Sequence, residues 1–167
     1  MIDTSEGCLM YVIGVDPGPV PGVVRLHLEY GHGPTRLLEA EALQVTPRLI
    51  LPVLDMLSDH NRTAIALEQF VVGRRASQSS TPAAGVITRA MVGAIDAWAS
   101  DLSERSCVAR SAAAVKPWAV DKRLHADGLL DMTAGMRHAR DAARHALFCA
   151  VKDYGLPDPL SSKAGAR

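Results

Sequence analysis

Two short apolar runs in this chain each stop on a carboxylate: LMYVIGVD (9–16) and TAIALE (63–68). Apolar runs of this length, rich in branched residues and bounded by turn residues such as the Asp-Pro-Gly of 16–18, read as buried strands. In a mixed α/β sheet the carboxyl ends of the strands gather where ligands bind. Asp16 and Glu68 therefore stand at equivalent places, each closing a strand at that rim.

The intervening segments fill in the order of elements. GVVRLHLEY (22–30) alternates, with Val24, Leu26, Leu28 and Tyr30 on one face and Arg25, His27 and Glu29 on the other, as in a half-buried strand. GHGP (31–34) is a turn. TRLLEAEALQV (35–45) suits a third strand or a helix, and its place after a tight turn favours the strand. Thr46 and Pro47 open a helix as N-cap and first residue, and Leu49, Ile50, Val53, Leu54 and Leu57 follow at helical spacing. VVGRRASQSSTP (71–82) reads as a loop. A long helix follows over about 83–104. Val86, Ile87, Ala90, Val92, Gly93, Ile95, Ala97 and Trp98 make it apolar around most of its circumference, which predicts burial on more than one side. CVARS (107–111) is a short strand and VKPWAVDKRLHADGLL (115–130) a brief helical segment. A last helix runs from Met136 to Tyr154 and stops at Gly155, with prolines just beyond. Three strands, a helix, then strand, helix, strand and helix describe a mixed α/β domain whose first three strands are antiparallel.

A length of 167 residues, 48% of them apolar, suits one domain over 1–167, with its core in about 10–155 and a frayed tail over 156–167. No stretch approaches the ~18 apolar residues of a membrane span. The opening MIDTSEG has no signal-peptide character. Cys8, Cys107 and Cys149 are widely spaced and lack a CxxC pair, which fits free thiols in a reducing cytoplasm. The net charge of zero hides an asymmetry. Residues 1–61 carry three basic against eight acidic residues, and 62–152 carry 13 against eight. A one-sided basic field is what an anionic polymer needs, although a pI near 7.0 falls short of a typical DNA-binding domain.

If the strands ending at Asp16 and Glu68 are neighbours, the two carboxylates repel and one tends to hold a proton. A divalent cation removes that repulsion, and Mg²⁺ needs only a few carboxylates beside water and substrate phosphate. The last helix places His138, Asp141 and His145 within roughly 60° of one another, with Arg137, Arg140 and Arg144 on another arc toward solvent or phosphates. Each feature alone has an ordinary reading. An Asp before Pro-Gly forms turns, a Glu caps a strand, a His-x-x-Asp pair decorates a surface, and Arg74-Arg75 sit solvated in a loop. Their joint occurrence at corresponding ends of elements points to one site.

VIGVDPGPVPGVV, AIALEQF and MRHARDAARHAL, in this order and spacing, resemble the RuvC-type Holliday junction resolvases of the RNase H-like (retroviral integrase) superfamily. The resemblance spans roughly residues 10–152. It implies an RNase H-like fold, with a central mixed five-stranded sheet flanked by helices. It also implies a homodimer that cleaves branched DNA with Mg²⁺ in recombination, repair or replication. Carried onto this chain, Asp16, Glu68, His138 and Asp141 become the catalytic metal ligands. His138 stands where many members carry aspartate and some carry histidine, and His145 is an alternative fourth ligand. VKPWAVDK resembles the family's lysine-bearing stretch, making Lys116 and Lys122 phosphate contacts. Arg74 and Arg75 would add to these, and Phe70 is the nearest counterpart of a junction-opening aromatic residue. Two Mg²⁺ ions per site, with Mn²⁺ as a substitute and Asp16 bridging, would support hydrolysis to 5′-phosphate and 3′-hydroxyl ends. The alternatives are a non-catalytic junction-binding protein and a flap or RNase H-type nuclease on the same fold. An actin-like ATPase needs a second Asp-Gly phosphate loop and about twice the length, and the chain has neither.

Overall fold

The computed structural model describes residues 8–31, 33–58, 62–69, 82–101 and 103–161. Five strands form one sheet: β1 (Cys8–Asp16), β2 (Gly22–Tyr30), β3 (Arg36–Gln44), β4 (Thr63–Glu68) and β5 (Arg105–Arg110), in the order β3-β2-β1-β4-β5. β1, β2 and β3 pair antiparallel, and β4 runs parallel to both β1 and β5. The third apolar segment is thus a strand, paired with β2 along its length. This is the mixed sheet with three leading antiparallel strands that the element order predicts.

Helices cover both faces. Six α-helices are described: α1 (Ile50–Ser58), α2 (Pro82–Ser100), α3 (Ala112–Val115), α4 (Asp121–Ala126), α5 (Leu129–Met132) and α6 (Arg137–Tyr154). Alternation sorts the residues of each strand between the two faces. Met10 and Val12 of β1, Val24, Leu26 and Leu28 of β2, and Ala64 and Ala66 of β4 pack with α6. Tyr11, Ile13, Val15, Ile65 and Leu67 point the other way, onto Ile50, Leu54 and Leu57 of α1 and Met91, Ile95 and Ala99 of α2. Because β1 and β4 carry apolar residues on both faces, they sit at the centre of the sheet.

α6 lies unusually close to the sheet, and small residues on both sides allow it. Its inner face is Ala139, Ala142, Ala143, Ala146 and Ala150, all buried. Opposite them a Cβ on Gly14 would fall 2.0 Å from the carbonyl oxygen of Ala142, and one on Gly22 would fall 2.1 Å from the carbonyl carbon of His138. No side chain fits in either gap. The helix ends at Gly155 in the left-handed region (φ 72°), where the Leu156 amide donates to the Ala150 carbonyl at 3.0 Å. The segment expected as a tail is anchored at its start. Leu156 is buried, and Asp158 takes a forked ion pair from Arg123 at 3.0 Å.

Three local expectations change. Thr46 makes no side-chain cap, and residues Pro47–Leu49 form a 3-10 turn that leads into α1. The segment 115–130 splits into short helices: Pro117 follows the first and Gly128 (φ 72°) separates the second from the third. α2 is buried along one side only. Val86 and Ile87 are 56% and 49% exposed, so the apolar circumference read from the sequence does not correspond to burial all round. No helix among the described residues is long and apolar enough to cross a membrane.

Candidate metal centre

Strand parity aims the first two carboxylates. Met10, Val12 and Gly14 of β1 face α6, so Asp16 does too; on β4, Ala64 and Ala66 set the same direction for Glu68. The parallel register pairs Val15 with Leu67, and one step further along sets Asp16 beside Glu68. Asp141 descends from α6 between the buried Ala139 and Ala142. One oxygen from each of Asp16, Glu68 and Asp141 lies within 4.8 Å of the other two.

Each carboxylate is held differently. Asp16, 8% exposed, accepts the Gly18 amide on Oδ1 at 3.1 Å, and its Oδ2 lies 2.7 Å from Nδ1 of His138. Asp16 thus closes the turn with one oxygen and meets His138 with the other. A Cβ on Gly18 would meet the His138 ring at 2.6 Å, so glycine there admits the imidazole. Burial pushes the Asp16 carboxyl up from its ordinary value, against the hydrogen bond and charge of His138. Burial likewise pushes Glu68 up, to about 7, with the negative charge of Asp16 adding to the rise. Glu68 Oε2 is buried and has no hydrogen-bond partner among the described residues.

Asp141 is the member whose ionised form is stabilised. Burial would raise it, but Lys116 at 3.0 Å and the contacting Arg144 guanidinium outweigh that and hold it below the usual carboxylate range. Arg144 also reaches Asp121 at the start of α4. His145 lies behind Glu68, its Nε2 3.6 Å from Oε2. Burial, and then Lys116, lower its pKa to about 4, so the contact joins a neutral imidazole to the carboxyl and is not an ion pair.

These donors fit a divalent cation that prefers oxygen. They are all carboxylate oxygens, burial raises the pKa of two of them, and one buried oxygen lacks a hydrogen-bond partner among the described residues.

No protein-family model matches the chain, and no curated protein matches it by sequence. Among solved structures, "T. thermophilus RuvC in complex with Holliday junction substrate" matches with a TM-score of 0.56 and 23% identity, covering 90% of this chain and 99% of that chain. This chain has the RuvC-type resolvase fold.

On that RuvC-type framework the expected residues fall into three groups. Asp16, Glu68 and Asp141 converge, and His138 joins them by its bond to Asp16 without entering the group of three. Lys116, just after α3, and Lys122, on α4, are both exposed; Lys116 borders the cluster through Asp141. Phe70, Arg74 and Arg75 lie outside the described residues.

Several contributors escape a sequence reading. Helical spacing puts Arg144 on an outer arc with Arg137 and Arg140, whereas its side chain is only 17% exposed and turns in to Asp141. Gln44, the last residue of β3, accepts the His138 amide at 3.1 Å and so serves an orphan donor at the start of α6. Nothing local marks either residue, because each partner is brought by the tertiary fold. Gly14 and the two Pro-Gly steps in DPGPVPG are the visible trace of the close approach by α6.

Proposed function

We propose that this protein is a metal-dependent endonuclease of branched DNA that resolves four-way junctions by paired nicks. The convergence of Asp16, Glu68 and Asp141 at the ends of two central strands and one helix carries the reading, on a fold shared with a RuvC bound to a Holliday junction. Asp16, Glu68 and Asp141 would hold Mg²⁺, with His138 completing the set. When bound, the cation supplies positive charge against the charge that develops on the scissile phosphate. Lys116 and Lys122 contact flanking phosphates, and Lys116 with Arg144 keeps Asp141 ionised for its ligand role. The Gly18 amide and His138 fix the orientation of Asp16. In the reaction a water oxygen bonds to phosphorus, the bond from phosphorus to the 3′ oxygen breaks, and a proton passes to the departing oxygen. The ends are a 5′-phosphate and a 3′-hydroxyl. The exposed Val86 and Ile87 on α2 would pair with a second copy, which sets two sites against opposed strands.

The test compares cleavage of a synthetic four-way junction, a flap, a linear duplex and an RNA–DNA hybrid, with Mg²⁺ and with EDTA. The expected result is Mg²⁺-dependent cutting of the junction above the other substrates. Asp16→Asn should lose roughly a thousandfold or more, because several kcal/mol of charge stabilisation leave with the metal. Unchanged cleavage by that variant would remove the site from the reaction. Preferential cutting of the hybrid would make the protein a ribonuclease H instead.

A further inference from the structure

The geometry points to His145 as a positioning residue: we infer that its Nε2–H holds Glu68 Oε2, so that the carboxylate presents its other oxygen to the cation. The inference rests on the proposed metal site and adds a residue to it. His145 is 2% exposed, and its Nε2 is buried with no hydrogen-bond partner among the described residues. Glu68 Oε2 is in the same condition, and the two atoms face each other at 3.6 Å. A buried polar atom without a partner is costly, and two complementary ones this close satisfy each other with a small side-chain movement. A neutral imidazole carries one N–H, which is the donor a carboxylate oxygen needs. The position suits support and not ligation. His145 is absent from the set of groups whose atoms lie within 4.8 Å of one another, and it approaches the cluster through Glu68. Its place on α6 also explains how the carboxylate at the end of β4 is fixed. Asp16 has Gly18 and His138, and Asp141 has Lys116 and Arg144, while His145 is the polar side chain set against Glu68. Partners of this kind typically contribute ten- to a hundredfold to metal affinity.

The test is calorimetric titration of Mn²⁺ into metal-stripped wild type, His145→Leu, His145→Gln and Glu68→Gln, with thermal unfolding of each apo protein. A merely structural histidine would lower stability when replaced and leave Mn²⁺ affinity unchanged. The expected result is that His145→Leu, which leaves Glu68 Oε2 without its donor, binds Mn²⁺ about ten- to a hundredfold more weakly. His145→Gln, which keeps an N–H donor, should recover most of that loss. In the wild type, adding Mg²⁺ should shift the ring ¹⁵N signals of His145 while leaving it in the Nε2–H form, a readout that needs no variant to fold. Equal Mn²⁺ affinity in wild type and His145→Leu, or an unmoved ring signal, would overturn the role of His145 alone. Failure of wild type to bind Mn²⁺ any better than Glu68→Gln would overturn the metal site and this inference together.

Discussion

Glu68 is a carboxyl that burial and a neighbouring charge keep largely protonated below about pH 7. In metal-stripped protein its pKa is about 7 against an ordinary 4.5, raised by burial and then by Asp16. Between those values the unfolded chain has lost a proton at this group that the folded chain keeps, so the Glu68 contribution to stability falls as pH rises from about 4.5 to about 7 and levels off above. His145 opposes this, since its pKa is lowered to about 4 from 6.5 and its contribution to stability rises with pH over that interval. Urea unfolding in EDTA should therefore show a steeper rise of stability with pH in Glu68→Gln than in the wild type. The same arithmetic predicts that Mg²⁺ binding at about pH 6 expels close to one proton and at about pH 8.5 nearly none, measurable by calorimetry in buffers of different ionisation enthalpy. His138 carries a second residue-scale prediction. Imidazole is a softer ligand than carboxylate, so His138→Asp should shift the ratio of Mn²⁺-supported to Mg²⁺-supported cleavage toward Mg²⁺. An unchanged ratio would remove His138 from the ligand set. At this scale the sequence is readable where strand endings mark a residue, as at Asp16 and Glu68. It is opaque for Arg144, because helical periodicity gives a direction around the axis without saying which partner waits there.

The element that matters most is α6, because it delivers His138 and Asp141 and its docking depends on the absence of side chains beneath it. Gly14→Ala would place a methyl 2.0 Å from the Ala142 carbonyl oxygen, where backbone and not a flexible side chain must give way. We expect a loss of about 3 kcal/mol in urea unfolding, the upper range for overpacking, together with loss of cleavage as Asp141 is displaced from Asp16 and Glu68. Gly33→Ala, where a Cβ would meet nothing within 4 Å, is the matched control and should stay within about 0.5 kcal/mol. A Gly14→Ala protein of wild-type stability would show that α6 can lift at no cost. The elements themselves are largely legible, since period-two alternation over 22–30 and the 3.6-residue spacing over 136–154 are long enough to be unambiguous. The segment 115–130 is not, because its helices are four to six residues long and are defined by tertiary packing of Val115, Leu124 and Leu129.

At the scale of the whole molecule, resolution of a junction is a matter of counting sites. The described residues of one chain contain one carboxylate cluster, while a four-way junction needs two opposed cuts. Val86 and Ile87, the surface proposed for a second copy, are exposed on α2, whose opposite side is buried through Met91, Ile95 and Ala99. On the dimer reading proposed above, the wild type is expected to sediment as a dimer, and Ile87→Glu, which puts a charge at that surface without touching either cluster, as a monomer. The functional consequence is qualitative. On a supercoiled plasmid bearing an extruded cruciform, two cuts within one encounter give linear product, whereas a single cut relaxes the cruciform and leaves a nicked circle. The wild type should give linear DNA early in the reaction and Ile87→Glu chiefly nicked circles. Binding should respond differently from cutting. Lys122→Ala takes one cation away from the phosphates at each site. It should weaken junction affinity and lower the slope of log K against log salt by about one for each phosphate no longer neutralised. Nicked circles from a wild type that sediments as a monomer would show that the exposed α2 surface serves something other than pairing.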